Sequence, residues 1–69
     1  MNIIEVLDEN NNKLTCEVIK IIKNDELNKM YIVYKDNEDI LVSQLIKEND
    51  NYKILPVLDN EWEFIEKNI

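Results

Sequence analysis

Four residue types are missing from this 69-residue chain: histidine, glycine, alanine and arginine. Without histidine and with a single cysteine, one chain cannot assemble the usual tetrahedral zinc sites. Without glycine, it can form neither the phosphate-binding P-loop nor the dinucleotide-binding fingerprint. Without arginine, it lacks the bidentate contacts that proteins make with guanine and phosphate. The composition therefore excludes several common classes of enzyme and of nucleic-acid-binding protein.

Positive charge is also scarce, since eight lysines face fifteen acidic residues and the net charge is −7. That sign opposes direct binding of nucleic acid, so a charged partner is expected to present a basic surface. Cys16 is the only cysteine and cannot form an intramolecular disulfide. Because the sequence shows no secretory signal and no apolar run of membrane length, we expect a cytoplasmic protein that does not bind a membrane.

The length of the chain predicts one small domain over residues 1–69. Apolar residues make up 45% of the sequence, which is ordinary for a globular domain. A domain of this size buries only about 60% of the surface that its unfolded chain exposes. With no disulfide to help, we expect marginal stability.

Five short stretches are rich in residues that favour β-strands, and breaks rich in asparagine and acidic residues separate them. Without glycine, asparagine is the residue best suited to the positive φ angles of tight turns. The third stretch carries five β-favouring residues in a row between Lys29 and Lys35, which predicts a central strand covered on both faces. The stretches are residues 3–7, 14–22, 29–35, 40–46 and 52–55.

The second stretch changes its pattern part-way along. From Leu14 to Val18 apolar and polar residues alternate, as in a half-buried strand, but Val18 and Ile19 are both apolar. A β-bulge at Val18 or Ile19 explains the shift, and so does a strand that is buried on both faces at its far end. Cys16 lies on the apolar side of the alternation and is expected to be a small core residue.

The C-terminal segment, residues 59–69, changes to a helical period. Trp62, Ile65 and Ile69 recur at i, i+3 and i+7 and form one apolar stripe. Because a helix this short does not persist alone, it must dock, and we predict Trp62 as its buried anchor. The sequence therefore predicts an α+β fold: a small antiparallel β-meander of four to five strands with one short C-terminal helix packed on the sheet.

Residues 56–63 combine a proline, two apolar positions, a largely acidic run and a tryptophan, from Pro56 to Trp62. This pattern resembles the C-terminal signature of the YrzB-like family, small acidic bacterial proteins with a domain of unknown function. The resemblance extends to residues 16–22, 29–33 and 40–42 and so covers most of the chain. It implies no activity and no catalytic residues. It does imply a gene neighbourhood, since such genes often lie beside one for a Holliday-junction-resolvase-like nuclease.

In a meander, alternate connections lie at the same end of the sheet, so the turns at residues 8–12 and 36–39 should share an end with the start of the helix. The acidic residues there would form a patch that attracts a basic partner. Two alternatives are that the acids only keep the turns soluble, and that they hold a divalent metal. The residues assigned to the partner-binding patch are Asp36, Glu38, Asp39, Asp59, Glu61 and Glu63.

Two functional hypotheses follow from the charge. The first is a non-enzymatic interaction module that binds a basic protein surface, for example that of a nucleic-acid-processing protein. The second is an inhibitor of a DNA- or RNA-binding protein, with carboxylates that mimic phosphates. We predict no catalytic residues, no metal and no cofactor, because the sequence offers no glycine loop, no metal-ligand set and no nucleophile with a base.

Overall fold

The computed structural model describes residues 2–69 as five strands and a short C-terminal helix. Each strand pairs antiparallel with the next, and β1 also pairs in parallel with β5, so the sheet closes into a barrel. The predicted α+β class with one C-terminal helix is confirmed in outline, but the predicted meander did not include this closure. The elements are β1 (Ile3–Leu7), β2 (Lys13–Asn24), β3 (Lys29–Asp36), β4 (Asp39–Glu48), β5 (Asn51–Leu55), a 3₁₀ turn (Asp59–Glu61) and α1 (Trp62–Asn68).

Asparagine supplies the left-handed residue in each of the four tight turns between the strands. The φ angles are 64° at Asn11, 51° at Asn28, 56° at Asn37 and 52° at Asn49. Asparagine tolerates this region better than other residues that have a Cβ atom, because its short polar side chain bonds locally. The predicted use of asparagine in place of glycine is therefore confirmed.

Replacing Asn37 with alanine should destabilise the domain by about 1 kcal/mol, because alanine tolerates the left-handed backbone conformation less well than asparagine does. Replacing it with glycine should cost nothing, because glycine adopts positive φ freely. Asn10→Ala is the control, since Asn10 lies in the first turn without a positive φ. Urea unfolding measures all three variants, and equal losses for Asn10→Ala and Asn37→Ala would contradict the argument.

The predicted central strand, β3, is buried on both faces. Ile32 and Tyr34 point into the barrel, where they pack with residues from the other four strands. Tyr31 and Val33 point outward and are covered by α1. Both Tyr31 and Ile32 are 0% exposed. One strand therefore joins the interior core of the barrel to a second core between the barrel and the helix.

A β-bulge in β2 determines which residues enter these two cores. The register with β3 shifts between Val18 and Lys20, so Ile19 is the extra residue, and its side chain is 52% exposed. Before the bulge, Cys16 and Val18 face the barrel interior. After it, Ile22 faces the helix. Of the two explanations for the pattern change, the bulge is therefore the correct one.

Helix α1 docks through Ile65, which is 0% exposed, and through Phe64, whose ring centroid lies 6.2 Å from that of Tyr31. Trp62 is 38% exposed, so the prediction that it is the buried anchor is wrong. Glu61 and Ile65, four residues apart, define the side that faces the barrel. Trp62 is rotated by about 100° from Glu61 and so lies on the flank. Within residues 2–69, no helix is long and apolar enough to cross a membrane.

Candidate functional site

The connection between β3 and β4 combines exposed acidic and apolar side chains. Asp36 pairs with Asp39 at the base of this turn, and Glu38 lies between them. All three carboxylates are exposed, and Ile40, next along β4, is 65% exposed. We call residues 36–41 the hairpin tip. Its composition suits contact with a surface that is both basic and partly apolar.

The β1–β2 turn lies at the same end of the barrel as the hairpin tip, but its first acid has a local role. The Asp8 carboxylate accepts hydrogen bonds from the backbone N–H groups of Asn10 at 2.8 Å and Asn12 at 2.9 Å. Hydrogen bonds from Asn12 are the main reason that the pKa of Asp8 is lowered. Within residues 2–69, no three His, Cys, Asp or Glu side chains are grouped as a metal site would require.

A buried carboxylate joins the C-terminal segment to the barrel. Glu61 is only 4% exposed, and its Oε2 atom accepts hydrogen bonds from the Tyr31 hydroxyl and from the Lys29 ammonium, the latter at 3.1 Å. Its Oε1 atom accepts the backbone N–H of Leu58 at 3.2 Å. We call Lys29, Tyr31 and Glu61 the clasp. Both oxygens of the carboxylate are therefore occupied by groups of the chain itself.

The pKa values of two groups of the clasp, Glu61 and Tyr31, are shifted away from neutral pH in opposite directions. Burial alone would raise the pKa of Glu61, but hydrogen bonds from Tyr31 and Lys29 outweigh it, and the pKa is lowered. Burial, followed by the hydrogen bond to Glu61, raises the pKa of Tyr31 to about 12. At neutral pH the clasp therefore holds an ionised carboxylate and a neutral phenol. Neither group is tuned for proton transfer near pH 7.

Three bacterial proteins are similar to this chain along nearly its whole length. UPF0473 protein YrzB of Bacillus subtilis (strain 168) is 33% identical, over 96% of this chain and 82% of that protein. UPF0473 proteins of Bacillus velezensis and Bacillus pumilus are 30% and 32% identical, each over 96% of this chain, and 82% and 80% of their own lengths are covered. The chain belongs to the UPF0473 family. The predicted resemblance to the YrzB-like proteins is thereby confirmed.

None of the three UPF0473 names states an activity. No family model matches this chain, and no solved structure matches it. A function for this UPF0473 chain must therefore be argued from its own residues.

In this UPF0473 chain, the six acids predicted to form one patch do not lie together. The clasp holds Glu61 beside Lys29, the first residue of β3, whereas Asp36 is the last, about 23 Å along the strand. Glu63 is exposed and pairs with Lys67 at 3.4 Å, and Asp59 is exposed in the 3₁₀ turn. The structure therefore splits the six acids: Asp36, Glu38 and Asp39 lie at the hairpin tip, and the other three lie in the 3₁₀ turn and the first turn of α1.

The error has a physical cause in the connection after β5. β5 ends at Leu55, which pairs with Gln44, and Gln44 pairs with Tyr31, so β5 stops level with the first residues of β3. Val57 then packs against the second core, between the barrel and the helix. The helix consequently starts near the beginning of β3 instead of at the end where the hairpin tip lies. Sequence reasoning also missed the clasp. Its one local signal is that Glu61 precedes the buried Ile65 by four residues, on the same side of the helix.

Proposed function

We propose that this UPF0473 chain is a non-enzymatic interaction module of the cytoplasm, and that its hairpin tip binds a basic surface on a partner protein. One observation carries the proposal: the exposed carboxylates of Asp36, Glu38 and Asp39 adjoin Ile40, which is 65% exposed. Exposed carboxylates guide a basic partner during its approach. The apolar side chain supplies contact area that is lost from water in the complex.

The outer face of the barrel extends this surface beyond the hairpin tip. Lys35 pairs with Ile40 on one side and with Glu17 on the other, and Glu17 pairs in turn with Ile3. These four residues form one row across β1 to β4, in which two residues of opposite charge lie between two exposed isoleucines, since Ile3 is 61% exposed. A partner that covers the row would gain apolar contact at both ends of it.

The proposal that the chain is not an enzyme is supported by the state of its most perturbed groups. Within the clasp, the hydroxyl of Tyr31 and the carboxylate of Glu61 are hydrogen-bonded to each other. Cys16 is 2% exposed, and burial, followed by the charge of Asp36, raises the pKa of its thiol, so the reactive thiolate is disfavoured. These groups are therefore better suited to stabilising the fold than to attacking a substrate.

Reversing two charges in the hairpin tip should abolish partner capture. We expect wild-type protein on a resin to retain a specific set of proteins from a bacterial lysate, and Asp36→Lys with Asp39→Lys to lose them, because exposed charges guide the encounter. Capture should weaken with added salt, since such charges are screened over roughly 8–10 Å at physiological ionic strength. Mass spectrometry of the eluates measures both effects.

The matched control is Asp25→Lys with Glu26→Lys, in the exposed β2–β3 turn, where the change in net charge is identical. This variant should retain the same proteins as the wild type. Equal losses in the two double variants would show that only net charge matters and would contradict the proposal. Adding duplex DNA or RNA to the captured complex tests the alternative of a nucleic-acid mimic, because a mimic should be displaced and an ordinary module should not.

A further inference from the structure

A groove with a volume of about 450 Å³ lies at the end of the barrel opposite the hairpin tip. It lies beside the β2–β3 turn, and Met30 and Leu45 are among its apolar lining residues. Three of the eight lysines of this acidic chain line it: Lys23, Lys29 and Lys47. We call it the lysine groove. Its volume lies within the range of small-molecule sites, roughly 300–1,000 Å³.

Two of these lysines have no partner of opposite charge. Lys29 belongs to the clasp, but within residues 2–69 neither Lys23 nor Lys47 forms a salt bridge. Lys47 instead extends over the ring of Tyr52, with its Nζ atom 5.9 Å from the ring centroid. This contact holds the ammonium group near the barrel mouth without neutralising it.

The strand register places the two free ammonium groups on opposite sides of the groove. Lys23 on β2 pairs with Met30 on β3, and Met30 pairs with Leu45 on β4. Lys47 follows Leu45 by two residues and so projects from the same face of β4. The backbones of β2 and β4 are about 10 Å apart, two strand spacings, so an anion at the centre is within reach of both side chains.

We propose that the lysine groove binds a small phosphate-type anion between the ammonium groups of Lys23 and Lys47. Lysine is a point-charge phosphate ligand with three hydrogen-bond donors, which suits a chain that has no arginine. Asn24 and Asn28, which are uncharged and polar, also line the groove. Among the described lining residues, Asp25 is the one carboxylate, and it lies on the exposed turn. The site is independent of the hairpin tip and of any protein partner.

Titration of ¹⁵N-labelled protein with sodium pyrophosphate at constant ionic strength tests the site. We expect saturable amide shifts confined to residues 23–30 and 44–47. Lys23→Gln with Lys47→Gln should weaken binding by at least about tenfold, because two charged contacts are lost. Lys23→Arg with Lys47→Arg should retain binding, because it keeps both charges. The control, Lys13→Gln with Lys35→Gln, changes the net charge equally outside the groove and should leave the affinity unchanged.

Shifts that do not saturate, shifts spread over the whole surface, or equal losses in the groove and control variants would overturn the proposal. Thermal melting of each variant without ligand checks that the fold is intact. If the glutamine pair melts earlier than the wild type, Lys47→Gln alone replaces it and should still weaken pyrophosphate binding severalfold. Unchanged affinity in that variant would also overturn the proposal.

Discussion

Replacing Ile65 with alanine should destabilise the domain by about 3 kcal/mol, because truncation of a buried isoleucine leaves a cavity between α1 and the barrel. The side chain is 0% exposed and packs with Ile22, Tyr31 and Val33. Total stability for a chain of this size is roughly 3–10 kcal/mol, so the loss would remove a large share of it. Urea unfolding measures the change as a lower midpoint at constant slope.

Trp62→Ala is the comparison variant for this prediction. Tryptophan is the larger side chain, but at Trp62 it is 38% exposed and leaves a smaller cavity. We therefore expect Trp62→Ala to cost less than half as much as Ile65→Ala. In the wild-type protein, acrylamide should also quench the fluorescence of Trp62 efficiently. A larger loss at Trp62, with a shielded indole, would mean that α1 is rotated from the orientation described above.

Replacing Glu61 with alanine should cost about 3 kcal/mol, because the Tyr31 hydroxyl loses its partner inside the protein. The side chain of Lys29 is 30% exposed and can be rehydrated, so its share of the loss is small. Glu63→Ala is the matched control, since that carboxylate is exposed and pairs only with Lys67. It should cost about 0.5 kcal/mol or less. Equal losses at the two positions would show that the clasp does not stabilise the fold.

The clasp should also produce a specific dependence of stability on pH. Because the folded-state pKa of Tyr31 is raised from 10.0 to about 12, its contribution is complete below pH 10 and is lost as the pH rises to 12. The loss is on the order of 2–3 kcal/mol. The lowered pKa of Glu61 makes stability depend on pH at the acid end instead. Its contribution is present above its ordinary value of 4.5 and is lost as the pH falls through the folded-state pKa.

Comparison with Tyr31→Phe separates the loss of stability caused by ionisation of Tyr31 at alkaline pH from the loss caused by the lysines. The lysines titrate in both proteins, so their effect cancels in the difference. The difference in unfolding free energy between wild type and Tyr31→Phe should be constant from pH 7 to 9 and should shrink towards pH 12. Glu61→Gln should correspondingly lose part of the acid dependence seen in the wild type. A difference between wild type and Tyr31→Phe that stays constant up to pH 12 would contradict the role assigned to the clasp.

Local features of the fold could be predicted from the sequence alone. The bounds of β1 match residues 3–7, and the four asparagine-containing turns lie where the breaks were expected. The two-sided burial of β3 also follows from residue order, whereas for β2 the sequence located the change of pattern and the structure identified it as a bulge at Ile19. Each of these depends on alternation along one strand or on the backbone preference of one residue. Such effects act between residues that are close in sequence, so they can be predicted from the sequence alone.

The sequence by itself thus determined where the strands and turns lie and that a C-terminal segment must dock on them. Only the tertiary structure decided the closure of β1 onto β5, the rotation that buries Ile65 and exposes Trp62, and the separation of Glu61 from the hairpin tip. It also decided that Lys23 and Lys47 face one groove. The physical reason is that these features join residues distant in sequence. Their positions depend on the twist of the whole sheet and on the path of residues 56–58 across it.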